Sequence, residues 1–403
     1  MLIAGVIAVV LSSQASNCGS LINDLAAAPS EGRIAAIEQE IVNNRRAALP
    51  FLLNHLDDSR QTSVSLGPVS FGQTEYQPRL RTLDPATLQF HVERVGYKYA
   101  RFEKYKLKVA DICMDAIGRI VNRPYGWAER RGLLPSRLSS PIVDPELADL
   151  IRNDWDGITD RQLAESFIRD CSLLDPDVGS LRRLARFYPK VAAQFLCLYF
   201  SKPLTKRCKA YEDLPILFDR LGTVKGAFYL PKPSQVAPAL SRIITSNCLS
   251  EDELPFLAQA QMDPFQKKLM GSTLKLASPN YEKIISKPCK YIAADRYLAG
   301  AIELCRDLDS KPLRRTIEKL YARINPTLDW PPDKDMFAVA FCRALGTGRI
   351  ANFERDYLRV RIARYEAGPQ DGLFGNSTVE SIFRATLNGG ELDPDWYLRP
   401  FQD

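Results

Sequence analysis

The chain has 403 residues, of which 45% are hydrophobic and 25% are charged. This balance is typical of a packed globular protein and excludes an intrinsically disordered or membrane-embedded chain. The formal net charge is +6, but the 54 basic residues are interspersed with 48 acidic ones. The mild basic excess therefore predicts solubility and no particular partner.

The first fifteen residues predict where the protein works. Residues 2–11 form an apolar run without a charge, and Ser13 and Ala15 are small residues at the −3 and −1 positions of a secretory cleavage site. The run is shorter than a membrane-spanning helix requires. We therefore predict a signal peptide over residues 1–15 and an exported protein, periplasmic or secreted. Because no positive charge precedes the run, a buried N-terminal helix is the alternative.

Nine cysteines occur at positions 18, 113, 171, 197, 208, 248, 289, 305 and 342. No two of them form a C-x-x-C motif, so the sequence predicts no zinc site and no redox motif. Most lie in apolar helical patterns, where cysteine acts as a small buried hydrophobe. Cys18 lies three residues past the predicted cleavage site. A lipoprotein anchored through Cys18 is therefore an alternative, although Asn17 fits a lipobox poorly.

Patterns typical of amphipathic helices dominate the chain. In the first, Ser30 precedes a run that carries Ile34, Ile37 and Ile41 on one face. A short apolar run over 49–56 follows directly, so the two runs predict a helical hairpin. Further helical runs are predicted over 109–120, 146–153, 160–171, 180–200, 235–247, 251–261, 264–276, 295–307, 311–324, 333–345, 350–366 and 377–387.

Residues 62–108 differ because apolar and polar side chains alternate, as they do in half-buried strands. Alternation on both sides of Gly67-Pro68 predicts a β-hairpin. The predicted fold is therefore predominantly all-α, an irregular array of helical hairpins with a small β-rich insert at about 62–108. Proline-rich breaks near 231–238 and 326–332 suggest boundaries. We divide the mature chain into helical domains over 16–230 and 231–403.

Several phrases in the first half of the chain are distinctive. They are residues 48–58 (ALPFLLNHLDD), residues 117–125 (IGRIVNRPY), Ser140-Pro141, and Asp154-Trp155 with Thr159. Through these phrases, residues 33–190 resemble an uncharacterised bacterial family of exported, HEAT-like helical proteins. The resemblance implies a helical array and export. It implies no activity, because the phrases carry no chemistry.

Only two histidines, His55 and His91, occur in the chain. A multi-histidine metal site is therefore excluded, and we expect both side chains to be superficial or structural. Residues 97–108 interleave aromatic and basic side chains, a pattern that suits a nucleic acid, an anionic glycan or a half-buried strand. We expect the strand. Because export is predicted, we expect no nucleic-acid partner.

Residues 368–382 (GPQDGLFGNSTVESI) contain the most specific motif, a tight turn followed by a helix start. They resemble the turn of the small helical peptidoglycan-binding domain. The resemblance implies a wall-binding turn formed by Asp371, Gly372, Phe374, Gly375 and Thr378. The match ends at Ala385-Thr386, where that family has an aromatic residue and glutamine.

These patterns predict a non-enzymatic, exported scaffold that binds a protein or a cell-wall polymer at the envelope, without a cofactor or metal. The alternative is a hydrolase or lyase that acts on an envelope polysaccharide or peptidoglycan. Two carboxylates are sufficient for glycosidase chemistry, so the scarcity of histidine leaves this alternative open. Facing carboxylates about 5–10 Å apart would favour the enzyme.

Overall fold

The computed structural model describes residues 18–71, 74–80, 83–84, 89–90, 93–95, 100–126, 128–129, 137–172, 177–205, 237–238, 241, 271–276, 278, 280, 292–293, 296–324, 331–367, 376–393 and 396–398. Their fold is predominantly all-α with a small β-rich insert, which confirms the predicted fold class. The chain divides into two compact units, residues 1–82 with 90–167 and residues 83–89 with 168–403. The predicted signal peptide and the boundary at 231 lie outside the described residues and stay predictions.

The first unit is built around α4 (Val109–Val121), a helix in which every residue except Asp115 and Arg119 is buried. The chain is helical over 18–27 (α1). Helices α2 (Glu31–Asn43) and α3 (Leu49–Asn54) both pack against α4 and are joined by the 3-10 helix Arg45–Ala48. Helix α5 (Pro145–Trp155) packs against α3. The core of this unit therefore surrounds one apolar helix.

Local signals place the ends of these helices as predicted. Ser30 caps α2, and its hydroxyl accepts a hydrogen bond of 3.3 Å from the Arg33 amide. At the start of α6 (Asp160–Ser172), Thr159 and Gln162 form the capping box. The Gln162 amide donates to Thr159 Oγ1 at 3.2 Å, and the Thr159 amide donates to Gln162 Oε1 at 2.8 Å. Each bond satisfies a backbone donor that a helix start leaves unpaired.

The β-rich insert begins at Gln61 and ends at Lys108, close to its predicted limits. Its strands are β1 (Gln61–Leu66), β2 (Val69–Phe71), β3 (Thr74–Tyr76), β4 (Leu83–Asp84), β5 (Gln89–Phe90), β6 (Glu93–Val95), β7 (Ala100–Phe102) and β8 (Tyr105–Lys108). β1 pairs with β8 and β2 with β7, both antiparallel and in the same register from Ser65 onward. β3 pairs with β6 in the same sense.

The hairpin predicted at Gly67-Pro68 is wrong. The two residues interrupt one long strand, whose halves β1 and β2 both pair with the returning segment 100–108. Pro68 has no N–H to donate to the ladder, so a break at this point follows from its chemistry. Two short strands, β9 (Ala128–Glu129) and β10 (Arg137–Leu138), complete a sheet in the order β7-β2-β10-β9, where β10 runs parallel to β2.

The second unit contains pairs of consecutive helices. Its described helices include α7 (Val178–Phe187), α8 (Pro189–Ser201), α9 (Arg296–Glu303), α10 (Lys311–Ile324), α11 (Pro331–Leu345), α12 (Arg349–Ala367) and α13 (Asn376–Leu387), with 3-10 helices Leu304–Asp307 and Trp396–Leu398. Strands β11 (Leu204–Thr205) and β12 (Ile292–Ala293) pair in parallel. Helix α11 packs against α9, α12 and α13, and α8 packs against α7 and α10.

One predicted run in this unit is two helices. The run over 180–200 breaks at Tyr188, because Pro189 begins a new helix and favours an extended conformation in the residue before it. The predicted run over 251–261 lies outside the described residues. Among the helices that the structure describes, none has the length and apolar character to cross a membrane.

Candidate functional site

The predicted wall-binding turn lies largely outside the described residues, which leave out Asp371, Gly372, Phe374 and Gly375. Thr378 falls in the first turn of α13, which begins at Asn376. The next residues of α13 are part of the core, since Val379, Ile382 and Phe383 are buried. Wall binding by this turn stays a prediction.

The other residues singled out by the sequence have structural surroundings where they are described. The Nδ1 atom of His55 lies 2.8 Å from the Phe51 carbonyl oxygen at the end of α3, and His91 lies outside the described residues. In β8, Tyr105 and Leu107 are buried while Lys106 is exposed. This part of the aromatic and basic segment is therefore a half-buried strand.

Among the described residues, six cysteines form no disulfide: Cys18, Cys113, Cys171, Cys197, Cys305 and Cys342. Cys18 lies in α1 with its side chain fully buried. Burial raises the pKa of this thiol above its ordinary value. In this structure Cys18 is a core residue of the first unit.

Two of the phrases that carry the first resemblance, residues 117–125 and Asp154-Trp155, meet in one packed cluster. The Trp155 indole donates a hydrogen bond of 3.2 Å to the Tyr125 hydroxyl, and the Tyr125 ring stacks on Tyr76 with 5.6 Å between centroids. The Tyr76 hydroxyl and the Arg79 amide both donate to Asp154 Oδ2. These residues hold the segment after β3 against the ends of α4 and α5, so Tyr125, Asp154 and Trp155 have a packing role.

Ser140, from the same set of phrases, completes a second buried group. Its hydroxyl donates to Asp111 Oδ1 at 2.5 Å, while the Tyr105 hydroxyl and the Lys108 amide each donate to Oδ2 at 2.8 Å. The side chains of Ser140, Tyr105 and Asp111 are all buried, and they lie at the start of α4. A carboxylate with three donors at a helix start is a structural cap.

Two further buried acids lie between α10, α11 and α12. Asp335 accepts hydrogen bonds from the Tyr357 hydroxyl at 2.6 Å and from Arg361 Nη2 at 2.7 Å. Glu354 accepts from the Tyr321 hydroxyl at 2.6 Å, and burial raises its pKa. Asp335 is 1% exposed and Glu354 is 3% exposed. Neither carboxyl reaches the surface, where a polymer substrate would bind.

A carboxyl with a strongly raised pKa lies near the surface, between α2 and α4. Asp115 on α4 shares a hydrogen bond with Glu38 on α2, and Arg119 Nη1 lies 2.7 Å from Glu38 Oε1. Arg119 also donates to Gln39 Oε1 at 2.5 Å. Glu38 is 8% exposed, whereas Asp115 and Arg119 are half-buried at the surface of α4. We call these three residues the carboxyl pair and its arginine.

The electrostatics of the pair follow from two acids and one base. Burial, reinforced by the hydrogen bond to Glu38 and by its negative charge, raises the pKa of Asp115 from 3.8 to about 8. Arg119 opposes this increase but is itself engaged with Glu38. At neutral pH Asp115 therefore keeps its proton, as a buried carboxyl beside a second acid is expected to do.

Sequence reasoning missed this pair, although one signal for it is visible. Glu38 falls within the apolar stripe of α2, between Ile37 and Ile41, where an acid requires a partner. Asp115 and Arg119 are one turn apart on α4 and outside its apolar stripe. Their partner on α2 becomes visible only when the two helices are packed together.

Comparison with known proteins gives no relative from which the role of this site could be inferred. No known protein family, curated protein or solved structure matches the chain. In the part of the chain that the structure describes, no group of three His, Cys, Asp or Glu residues could hold a metal ion.

Proposed function

We propose that the protein is an exported helical scaffold of the cell envelope that acts by binding a partner protein. The observation that carries this proposal is the outward face of α12. Phe353 is 54% exposed and Val360 is 53% exposed, and their separation of seven positions places them two turns apart on one side of the helix. The opposite side of α12 is buried through Ala351, Leu358 and Ile362.

Two large apolar side chains held toward water on a rigid helix suit the recognition of a partner, because apolar contact supplies much of the binding energy at interfaces. The surrounding side chains on this face are polar, among them Asp356 and Arg359, which form an ion pair of 2.7 Å. An apolar centre with a charged border is the usual arrangement of a protein interface. Export and the envelope location rest on residues 1–15 and on the two resemblances.

Site-specific photocrosslinking in the native host tests the binding face. We would place a photoreactive phenylalanine analogue at Phe353, at Val360 and, as the control, at Asn388, which is exposed on another part of the unit. We expect the same discrete protein adduct from positions 353 and 360 and none from 388. Adducts of equal yield at all three positions, or at none, would reject the proposal.

The carboxyl pair supports a second candidate function, a hydrolase or lyase that acts on an envelope polysaccharide or peptidoglycan. A carboxyl that is protonated at neutral pH is suited to donate a proton to a leaving group, the role Asp115 would take, with Glu38 and Arg119 beside it. This candidate ranks second because the two carboxyls bond to each other. Glycosidases separate them by about 5 Å or more to admit the sugar.

Release of soluble fragments from purified peptidoglycan distinguishes the two candidates. An enzyme with this site would release fragments, and Asp115→Asn would abolish the release while Asp149→Asn, an exposed acid on α5, would leave it intact. A scaffold would release none with any of the three proteins.

A further inference from the structure

Helix α10 carries a row of basic side chains on its exposed side. Lys311, Arg315 and Lys319 recur every four residues and are all exposed. At 1.5 Å per residue, neighbouring members are about 6 Å apart along the helix axis and the row is about 12 Å long. We call these three residues the basic row.

The basic row has a fixed direction because the other side of α10 is anchored in the core. Leu313, Ile317, Leu320 and Ile324 are buried and form the inward stripe of the same helix. The row is thus a rigid feature of the surface, held at constant spacing by a helix that cannot rotate.

Neighbouring arginines on α10 have partners within the protein, whereas the members of the row do not. Arg323 donates at 2.8 Å to the Phe200 carbonyl and also donates to that of Lys202, at the end of α8. Arg314 lies 3.7 Å from Glu318 and donates to the Thr347 carbonyl. Within the described residues, no acid or carbonyl lies within bonding distance of Lys311, Arg315 or Lys319. Their charges are available to a ligand.

We propose that the basic row binds a linear polyanion, a polymer that carries phosphate or carboxylate groups about every 6 Å or more closely. A row of three collinear cations matches a line of negative charges better than it matches a compact anion, which would need converging donors. Binding of this kind depends on charge neutralisation and on the release of counterions from the polymer.

The composition of α10 argues against two other partners. In the described part of the chain, none of the large exposed apolar side chains lies on α10, so the row lacks the apolar centre of a protein interface. Tyr321, the one aromatic residue of α10, is turned inward and bonds to Glu354. The row therefore offers no ring on which nucleic-acid bases could stack.

The proposal relies on the proposed scaffold function only for where the polymer is found, since an envelope protein would meet an anionic envelope polymer. The binding itself is a property of α10 and can be measured on the purified full-length chain. A failure of export would leave that binding unchanged, so the two proposals can fail separately.

The test uses long-chain inorganic polyphosphate as the probe and two matched triple variants. The row variant carries Lys311→Gln, Arg315→Gln and Lys319→Gln. The control variant carries Arg33→Gln, Lys190→Gln and Arg364→Gln, which removes the same charge from three exposed basic residues elsewhere. Glutamine keeps a high helix propensity, and circular dichroism verifies that each variant is folded.

We expect the wild-type and control proteins to bind polyphosphate with an affinity that falls steeply with salt. The row variant should bind about tenfold or more weakly at low salt, and its salt dependence should correspond to about two to three fewer released counterions. The proposal is wrong if the wild type does not bind, if both triple variants weaken equally, or if the row variant binds like the wild type.

Discussion

Asp115 and Glu38 meet carboxyl to carboxyl across the contact between α4 and α2, and a single arginine, Arg119, balances only one of their charges. This arrangement is stable while Asp115 keeps its proton. Loss of that proton places two negative charges beside one positive charge in a half-buried position. The contact between two helices of the first unit therefore depends on pH.

The pair predicts that stability falls as pH rises. The pKa of Asp115 is about 8 in the folded protein and 3.8 ordinarily, so between these values the folded state holds a proton that the unfolded chain has lost. The stabilisation is complete below about pH 4 and decreases through pH 8, by at most about 1.4 kcal/mol per pH unit. The amide in Asp115→Asn does not ionise, so this variant should become more stable than the wild type as pH increases. Urea unfolding across pH 4–9 measures the difference.

Asp149→Asn is the control for this experiment, because Asp149 is an exposed acid on α5 with only a surface ion pair to Arg152. Its unfolding free energy should stay parallel to that of the wild type at every pH. If the profile of Asp115→Asn is also parallel to the wild type, the pKa of Asp115 is not raised in the folded protein.

Arg123 is expected to be the most sensitive arginine of the first unit. It is 5% exposed, donates to the carbonyls of Asn122 at 2.9 Å and Pro78 at 3.1 Å, and lies over the Trp155 ring at 5.6 Å. Arg123→Ala leaves buried carbonyls without donors and should lower the free energy of unfolding by about 3 kcal/mol. Arg101→Ala, at an exposed strand position, should change it by about 0.5 kcal/mol or less. Chemical denaturation of both variants checks the contrast, and equal effects would contradict it.

Much of the fold was predictable because its signals are local. The stripe of Ile34, Ile37 and Ile41 depends on a helical period of 3.6 residues, and the capping box of Thr159 on bonds three residues apart. The pairing of strands was not predictable in this way. Gly67-Pro68 has the composition of a turn, but the choice between a hairpin and an interrupted strand depended on segment 100–108, more than thirty residues away.

The candidate site was beyond the sequence for a similar reason. Glu38 and Asp115 are separated by 77 positions, and their contact exists only because α2 and α4 both bury an apolar stripe against each other. The basic row was visible as a spacing of four residues, but the sequence alone did not separate it from Arg323, which continues the same spacing and caps α8. Packing decides which member of a periodic set is free to bind a ligand.

A tight contact in the second unit predicts a specific steric conflict. A Cβ atom added at Gly300 on α9 would lie 2.8 Å from the ring of Tyr397, which is buried in the 3-10 helix Trp396–Leu398. Gly300→Ala should therefore destabilise the protein by about 1–3 kcal/mol, despite the better helix propensity of alanine. Thermal unfolding measures this change.

Two further variants separate the steric conflict from a general effect of alanine. Gly32→Ala on α2 introduces a Cβ with nothing within 4 Å and should stabilise the protein by about 0.5–1 kcal/mol. In a Tyr397→Ala background, Gly300→Ala should lose most of its destabilising effect. Additive effects of the two substitutions would show that the ring is not the obstacle.

The structure determines how wall binding by the predicted turn has to be tested. Truncation at Gly368 would remove α13 and Trp396, whose buried side chains belong to the core, so loss of binding would have a trivial cause. Substitutions in the turn itself, Asp371→Ala and Phe374→Ala, leave α13 in place. We expect both to reduce cosedimentation with purified peptidoglycan, while Asn388→Ala at the exposed end of α13 has no effect. Equal sedimentation of all four proteins would exclude the turn as the wall contact.

The burial of Cys18 predicts that the native protein carries no lipid at this residue. Its side chain is fully buried in α1 together with those of Ile22 and Leu25, so a lipid attached at Cys18 would displace core packing. We therefore expect the intact mass of the protein from the host envelope to correspond to a chain that begins at Ser16 with an unmodified Cys18. A mass increased by acyl groups would identify a lipoprotein. A chain that begins at Met1 in the cytoplasm would reject export, and the envelope scaffold with it, but would leave polyanion binding by the basic row open to the polyphosphate test.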